Sequence, residues 1–289
     1  MMKKKEKSAA QVSEHAALIR CPICGGEMHV ETLASLVCSN SHAFDFSKQG
    51  YVNMLNKPVT TQYDQTLFEN RRDFILESGF YSRMHGVVVD IIHHLGTDDM
   101  TVLDAGSGEG SHMERILAGV EGKHLGFGID IAKEGILMAA KNYPDSIWFV
   151  GDLANLPLKD SSCDVILNIL SPANYSEFSR VIKPDGVVIK VVPQSGYLGE
   201  LREALYRDTD KAEYDNAGTV SLFEENFEVL ERVQVKEKVM LDRAALANLI
   251  HMSPLAWNHE AGELDDFISE ERPVTIDLEI LVGRSAISV

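Results

Sequence analysis

The stretch Val102-Leu103-Asp104-Ala105-Gly106-Ser107-Gly108-Glu109-Gly110 constrains the fold of this chain more than any other part of it. An apolar run ends in an acid, and a glycine-rich turn then opens a helix. Glycines allow the tight turn and let a ligand approach the backbone. The helix that follows presents the partial positive charge of its N-terminus. From here on, strand-like and helix-like patterns alternate. Apolar, β-branched runs fall at 101–105, 124–130, 147–151, 163–170 and 186–192, with helical segments at 110–118, 132–142, 174–182 and 197–207 between them. Such alternation predicts an α/β fold of Rossmann-like type, a mostly parallel sheet with helices on both faces. Two late β-rich runs, 227–241 and 274–282, complete the sheet, the last as an antiparallel edge strand. Upstream, helices are predicted at 66–78 and 82–95; the second carries Val87, Val88, Ile91, Ile92 and Leu95 at helical spacing.

The spacing of the glycines selects the ligand. A dinucleotide fingerprint needs a third glycine where this chain has Ser111. Gly106, Gly108 and Gly110 instead follow Asp104, an acid that repels a pyrophosphate and suits an ammonium group. S-adenosylmethionine carries an amino-acid head and a sulfonium but no phosphate. Asp130, followed by Ile131, ends the next strand and is placed to accept ribose hydroxyls. Asp152 ends the third strand, where it can bond an adenine amino group with Leu153 beside the ring. Three acids at the carboxyl ends of successive strands converge on one crevice, the place where open α/β sheets bind ligands. The expected domain is thus a class I S-adenosylmethionine methyltransferase spanning residues 58–289.

Residues 19–57 follow different rules. Cys21-Pro22-Ile23-Cys24 places two thiolates on one turn, and Cys38 with His42 supplies a second pair. Three sulfurs and one imidazole form the tetrahedral set of a structural zinc ion, with no position left open for a water nucleophile. A segment of this size cannot bury a core alone, so the ion is expected to hold its fold. The fourth cysteine, Cys163, begins an apolar run and reads as a buried core thiol; His93 and His94 read as surface or packing residues. Residues 1–18 read as a flexible polar leader, and 58–66 as a linker.

The formal net charge is −17, which taken alone argues against a nucleic-acid partner. The distribution is uneven, however: residues 1–60 sum to +2 and the remainder to −19. An RNA-binding surface should therefore involve the N-terminal module. No apolar run reaches membrane-spanning length, and the charged start lacks the apolar region of a secretory signal, so a cytoplasmic protein without a membrane partner is expected.

With both sites in view, the chain resembles the RlmA family of 23S rRNA (guanine-N1) methyltransferases from Cys21 nearly to the C-terminus. The resemblance rests on the zinc ligands running into Phe44-Asp45 and Lys48-Gln49-Gly50-Tyr51-Val52-Asn53-Met54-Leu55. It continues through Arg71-Arg72-Asp73-Phe74, Gly79-Phe80-Tyr81, the Asp104–Gly110 loop and Met252-Ser253-Pro254-Leu255-Ala256-Trp257. It implies methyl transfer to N1 of a guanine in a hairpin loop of 23S rRNA, and a homodimer whose zinc modules flank an RNA cleft. It also implies cofactor contacts from Tyr81, Glu109, Gly110 and Tyr197. The wall facing the base is expected at 168–174, with Asn168 orienting cofactor or base; Trp257, Tyr81 and Phe80 are candidates for stacking on a splayed base. The competing reading is a small-molecule methyltransferase with a purely structural zinc finger. The residues name no general base.

Overall fold

Eight strands form one twisted sheet, and the period-two alternation within each strand divides the core into two layers. The structure, a computed structural model, describes residues 2–96, 99–206, 216–257, 262 and 264–285. Its first elements are α1 (Lys4–Glu14), β1 (Met28–Glu31), β2 (Ser35–Cys38), β3 (Ala43–Asp45), β4 (Val52–Asn53), α2 (Gln65–Glu77) and α3 (Ser82–His94). The alternating part comprises β5 (Asp99–Ala105), α4 (Ser111–Leu117), β6 (Lys123–Asp130), α5 (Lys133–Asn142), β7 (Ile147–Val150), β8 (Cys163–Ile169), α6 (Tyr175–Val181), β9 (Ile182–Pro193) and α7 (Gly199–Tyr206). After it come α8 (Ala217–Asn226), β10 (Phe227–Leu241), α9 (Arg243–Met252), α10 (Asp265–Ile268) and β11 (Arg272–Ser285).

The large sheet has the order β10-β11-β9-β8-β5-β6-β7-β4, while β1, β2 and β3 form a separate antiparallel sheet. All pairings from β9 across to β4 are parallel; β11 runs antiparallel to β9 and β10 antiparallel to β11. This is the expected mostly parallel sheet with an antiparallel end, but the edge strand there is β10: β11, expected at the edge, lies between β9 and β10 and pairs with both. Val165 and Leu167 on β8, with Val187 and Ile189 on β9, face a layer built by α2, α3, α4, α5 and α9. Ile166 and Val188 face the opposite layer, which α1, α6, α8 and the zinc module cover. Burying both faces explains why these strands read as continuous apolar runs.

Four further features depart from the sequence reading. The polar start is not a mobile leader: α1 is a helix whose Ala9 and Val12 are fully buried, because its apolar positions seat against the second core layer. Val52 and Asn53 pair with Phe149 and Val150, so the chain leaving the zinc module forms the edge strand of the large sheet. Helices α8 and α9 were not anticipated. The helix expected at 197–207 is Gly199–Tyr206, and Arg207 lies outside the described residues. Cys163 is fully buried, as its apolar setting implied, and His93 and His94 are exposed.

Candidate active site and zinc centre

Between β5 and α4 the chain turns through Gly106, Gly108 and Gly110, with φ of 82°, 57° and 88°. A Cβ on Gly106 would lie 2.6 Å from Ser171 Oγ, and one on Gly110 would lie 2.5 Å from the Trp148 ring. Positive φ and close approach thus both require glycine. Asp130, at the tip of β6, fastens this loop: its Oδ2 accepts the Gly108 N–H at 2.8 Å and its Oδ1 accepts the Ala132 N–H at 2.7 Å.

Two cavities open at the carboxyl ends of the strands and share Tyr63, Arg71, Leu170, Ser171 and Pro172. The first, about 300 Å³, is lined by Gly106, Gly108, Asp130, Ile131, Asp152 and Leu153 among others. The second, about 460 Å³, is lined by Tyr81, His112, Lys190 and Tyr197 and by Met252–Leu255 at the foot of α9. The Tyr81 and Tyr197 hydroxyls meet at 2.6 Å, joining the start of α3 to the loop after β9.

Of the residues singled out in the sequence, eight therefore line the joined cavities, and four stand behind them. Asp104 is 2% exposed beneath the loop, and Gly110 packs under Trp148. Glu109 faces away from both cavities: its Oε2 accepts from the Ser111 N–H and Oγ, while Oε1 sits 3.6 Å from Arg71 Nε. Asn168 lines neither cavity. Its Nδ2 is engaged by the Ala105 carbonyl, Ser171 Oγ and the Pro172 carbonyl, and its Oδ1 accepts from Lys190 Nζ. The structure thus puts Asn168 behind the expected wall, with its amide engaged in holding the Leu170–Pro172 turn. That turn includes Leu170 at φ 51°, a strained conformation for a residue with a Cβ. Phe80 and Tyr81 are core residues, 0% and 2% exposed, and only Trp257, at 38%, is open to stacking from solvent.

The sequence reading missed Arg71, Tyr63 and a histidine pair. Arg71 reaches from α2 over the glycine loop and lines both cavities, holding a cation among Asp104, Glu109 and Asp130. The doubled arginine at 71–72 was a visible signal, but its target was not. Tyr63 lies in what read as a linker, and its ring meets Trp257 edge-on at 5.3 Å. His85 Nε2 and His112 Nδ1 are 2.8 Å apart in the core beside Tyr81, and burial depresses both, His85 to about 4.

Burial raises all three carboxyls, Asp104 to about 8, against the opposing pull of Arg71. A carboxyl with a raised folded-state pKa holds its proton more tightly in the native state. The stability it contributes is present below its unfolded value and is lost as pH rises through about 8 for Asp104. The ligand-free protein should therefore melt at falling temperature as pH is raised across that window, and Asp104→Asn should flatten the decline. Calorimetric melting curves check this; equal slopes for the two proteins would remove Asp104 as the cause.

The zinc ligands gather as the spacing required. Cys24 and Cys38 Sγ are 3.7 Å apart, and His42 Nδ1 lies 3.6 Å from Cys21 Sγ and 3.4 Å from Cys38 Sγ. All four ligand atoms fall within 4.8 Å of one another. A tetrahedral zinc with sulfur ligands at about 2.3 Å and nitrogen at about 2.0–2.1 Å sets S···S edges of roughly 3.8 Å and S···N edges of roughly 3.5 Å. The donor set and its edges thus fit the ion. The module is tied to the large domain by Asn155 Nδ2 to the Pro22 carbonyl at 2.7 Å and by Arg20 to Glu177 at 3.3 Å.

Comparison with known proteins agrees with this geometry. The model of the RlmA N-terminal zinc ribbon matches residues 19–62, and that of a methyltransferase domain matches 102–186. YxjB of Bacillus subtilis, described as a 23S rRNA (guanine-N1-)-methyltransferase, is 41% identical over 92% of this chain and 97% of its own length. The 23S rRNA (guanine(748)-N1)-methyltransferase of Streptomyces fradiae is 31% identical over 87% of this chain and 90% of its own. A solved S-adenosylmethionine-dependent methyltransferase from Methanococcus maripaludis matches at 17% identity, with a TM-score of 0.46, over 60% of this chain and 91% of that one. On the sequence matches, which span nearly the whole chain, together with the zinc ligands and the glycine loop, this protein belongs to the RlmA family of 23S rRNA (guanine-N1) methyltransferases.

Proposed function

We propose that this protein transfers the methyl group of S-adenosylmethionine to N1 of a guanine in a hairpin loop of 23S rRNA, in the cytoplasm. The observation that carries this reading is the junction of two cavities at Leu170–Pro172: one bordered by strand-end acids, the other by polar and aromatic side chains. The first suits the nucleoside of the donor, with Asp130 toward the ribose hydroxyls and Asp152 and Leu153 toward the adenine. Arg71 at the junction suits the carboxylate of the amino-acid head; Asp104 beneath the loop, raised to about 8 by burial in the ligand-free protein, gains its negative charge as the ammonium of the donor binds near it. Bound there, the donor supplies an already reactive sulfonium methyl. The protein's own task is to hold N1 in line with that methyl, a service worth on the order of 7–11 kcal/mol.

The second cavity suits a single base taken out of its stack, at a cost of a few kcal/mol that a loop nucleotide reduces. Tyr63 lines this cavity and its ring meets that of Trp257; both rings are about two-fifths exposed, which suits them to receive such a base. Trp257→Ala is expected to weaken binding of unmodified 23S rRNA by about 1–3 kcal/mol while leaving cofactor affinity unchanged. Filter-binding and calorimetry measure the two; unaltered RNA affinity would take Trp257 out of the RNA surface.

Labelled cofactor incubated with unmodified 23S rRNA, followed by mapping of reverse-transcriptase stops, tests the activity. A stop at one guanine is expected, because N1-methylguanine cannot pair. Label entering a small-molecule pool and not RNA would favour the competing small-molecule methyltransferase, which the net charge of −17 supports. We also propose a homodimer, to be checked by analytical ultracentrifugation. Among the described residues no helix is long and apolar enough to cross a membrane.

A further inference from the structure

Methylation at N1 of guanine leaves a proton to be placed, and none of the acids at the first cavity lines the second. Lys190, toward the carboxyl end of β9, does line it, and it is the one buried lysine among the described residues. Its strand neighbours are Asn168 on β8 and Leu281 on β11, neither of which carries charge. Nζ donates to Asn168 Oδ1 at 2.5 Å and to the Ser171 carbonyl at 3.2 Å. Both acceptors are neutral: the Ser171 carbonyl belongs to the turn on which the two cavities meet, and Asn168, near the end of β8, holds that turn through its amide. A lysine amine has two N–H donors and one lone pair. With one donor anchored on Asn168 and the other on this turn, the lone pair takes the tetrahedral direction that remains.

We infer that Lys190 is a catalytic residue, the proton acceptor for guanine N1. This rests on the proposed function and assigns the base within the same site. In the step, the N1–H bond breaks and its proton passes to Nζ, turning the amine into an ammonium. The N1 electron pair forms the N–CH₃ bond, and the S–CH₃ pair stays on sulfur, which leaves as a neutral thioether. One positive charge is present before the step, on sulfur, and one after it, on nitrogen. The new ammonium is then beside guanine O6 and returns its proton to solvent when product leaves. Burial lowers Lys190 to about 8, so an appreciable fraction is in the accepting form near neutral pH.

The other titratable or charged groups lining this cavity are Tyr63 before α2, Arg71 from α2, Tyr81 at the start of α3, His112 from α4, Tyr197 after β9 and Arg202 from α7. Burial moves His112 well below its ordinary value and Tyr81 and Tyr197 above theirs, away from the range of Lys190. Asp104 is raised to about 8 as well, but it lines neither cavity, and a limb that belongs to it would persist in both Lys190 variants.

The test is single-turnover methylation of unmodified 23S rRNA at saturating cofactor, for the native protein and for Lys190→Arg and Lys190→Met. Melting temperature, calorimetric cofactor affinity and filter-binding of RNA are measured alongside. The native rate should rise with pH to a plateau above about 8. Both variants should bind cofactor and RNA as the native protein does, yet react about 10²–10⁴-fold more slowly, with the limb near 8 gone. Arginine retains both anchoring donors and cannot accept a proton, so native rates in Lys190→Arg would overturn the assignment. Loss of cofactor or RNA binding in proportion to rate would overturn it too, leaving a positioning role. If a variant fails to fold, the native profile decides: a rate independent of pH between about 7 and 9 excludes a base of this kind. Absence of methylation by the native protein would instead refute the proposed function.

Discussion

Cys24→Ser is expected to release the zinc ion and to unfold the segment around it, with the largest single effect on stability of any change considered. Structural zinc binding in small modules is worth about 10–16 kcal/mol, and that free energy is folding free energy. The local core it supports is slight: Met28, Leu36 and Phe44 are the buried apolar side chains of β1, β2 and β3. Losing the ion does not stay local, because this core is continuous with Phe127, Phe149, Leu156 and Phe178 beneath the large sheet. RNA binding should therefore fall more than cofactor binding, since the first cavity lies at the carboxyl edge of the sheet and the zinc centre under one face. Metal content by atomic absorption, with RNA and cofactor affinities measured on the same preparation, checks this. Full zinc occupancy in the variant, or equal RNA affinity with and without metal, would count against the role of the module.

Asp130→Ala should cost the cofactor more than any other change at its cavity. The carboxylate fixes Gly108 and Ala132 through two short hydrogen bonds and also lines the cavity. Its removal takes away an acceptor for the ribose and the clamp that holds the loop in its left-handed conformation. Leaving a buried hydrogen-bonding group without its partner typically costs about 1–3 kcal/mol. A cofactor Kd raised roughly 100-fold is expected, and the melting temperature of the ligand-free protein should fall as well, because the Gly108 and Ala132 N–H groups lose their acceptor. Calorimetric titration decides: an unchanged Kd would remove Asp130 from the site.

How much of this was legible depended on how local the cause was. Strand ends with an acid and then glycine are local patterns, so the loop at 104–110, the acids Asp130 and Asp152 and the order of the alternating elements were readable. The zinc ligands were readable because two paired spacings leave few other uses for three thiols and an imidazole. Glu109 and Asn168 were misplaced because sequence gives proximity to a site but not the direction of a side chain. One turns back to Ser111, and the other spends its amide on the Leu170–Pro172 turn. The start of the chain was misjudged because α1 is mostly polar, and its two buried side chains acquire meaning only from the surface they meet.

By itself the sequence determined the doubly covered parallel sheet, the donor class and the metal, since each follows from residue type at fixed spacing along one chain segment. Only the tertiary structure decided that Arg71, Tyr63, His112, Lys190 and Met252 share one cavity. They come from segments far apart in the chain, and what gathers them is the packing of α2, α4, β9 and α9 on one edge of the sheet. Such meetings depend on how layers stack, which no local pattern encodes.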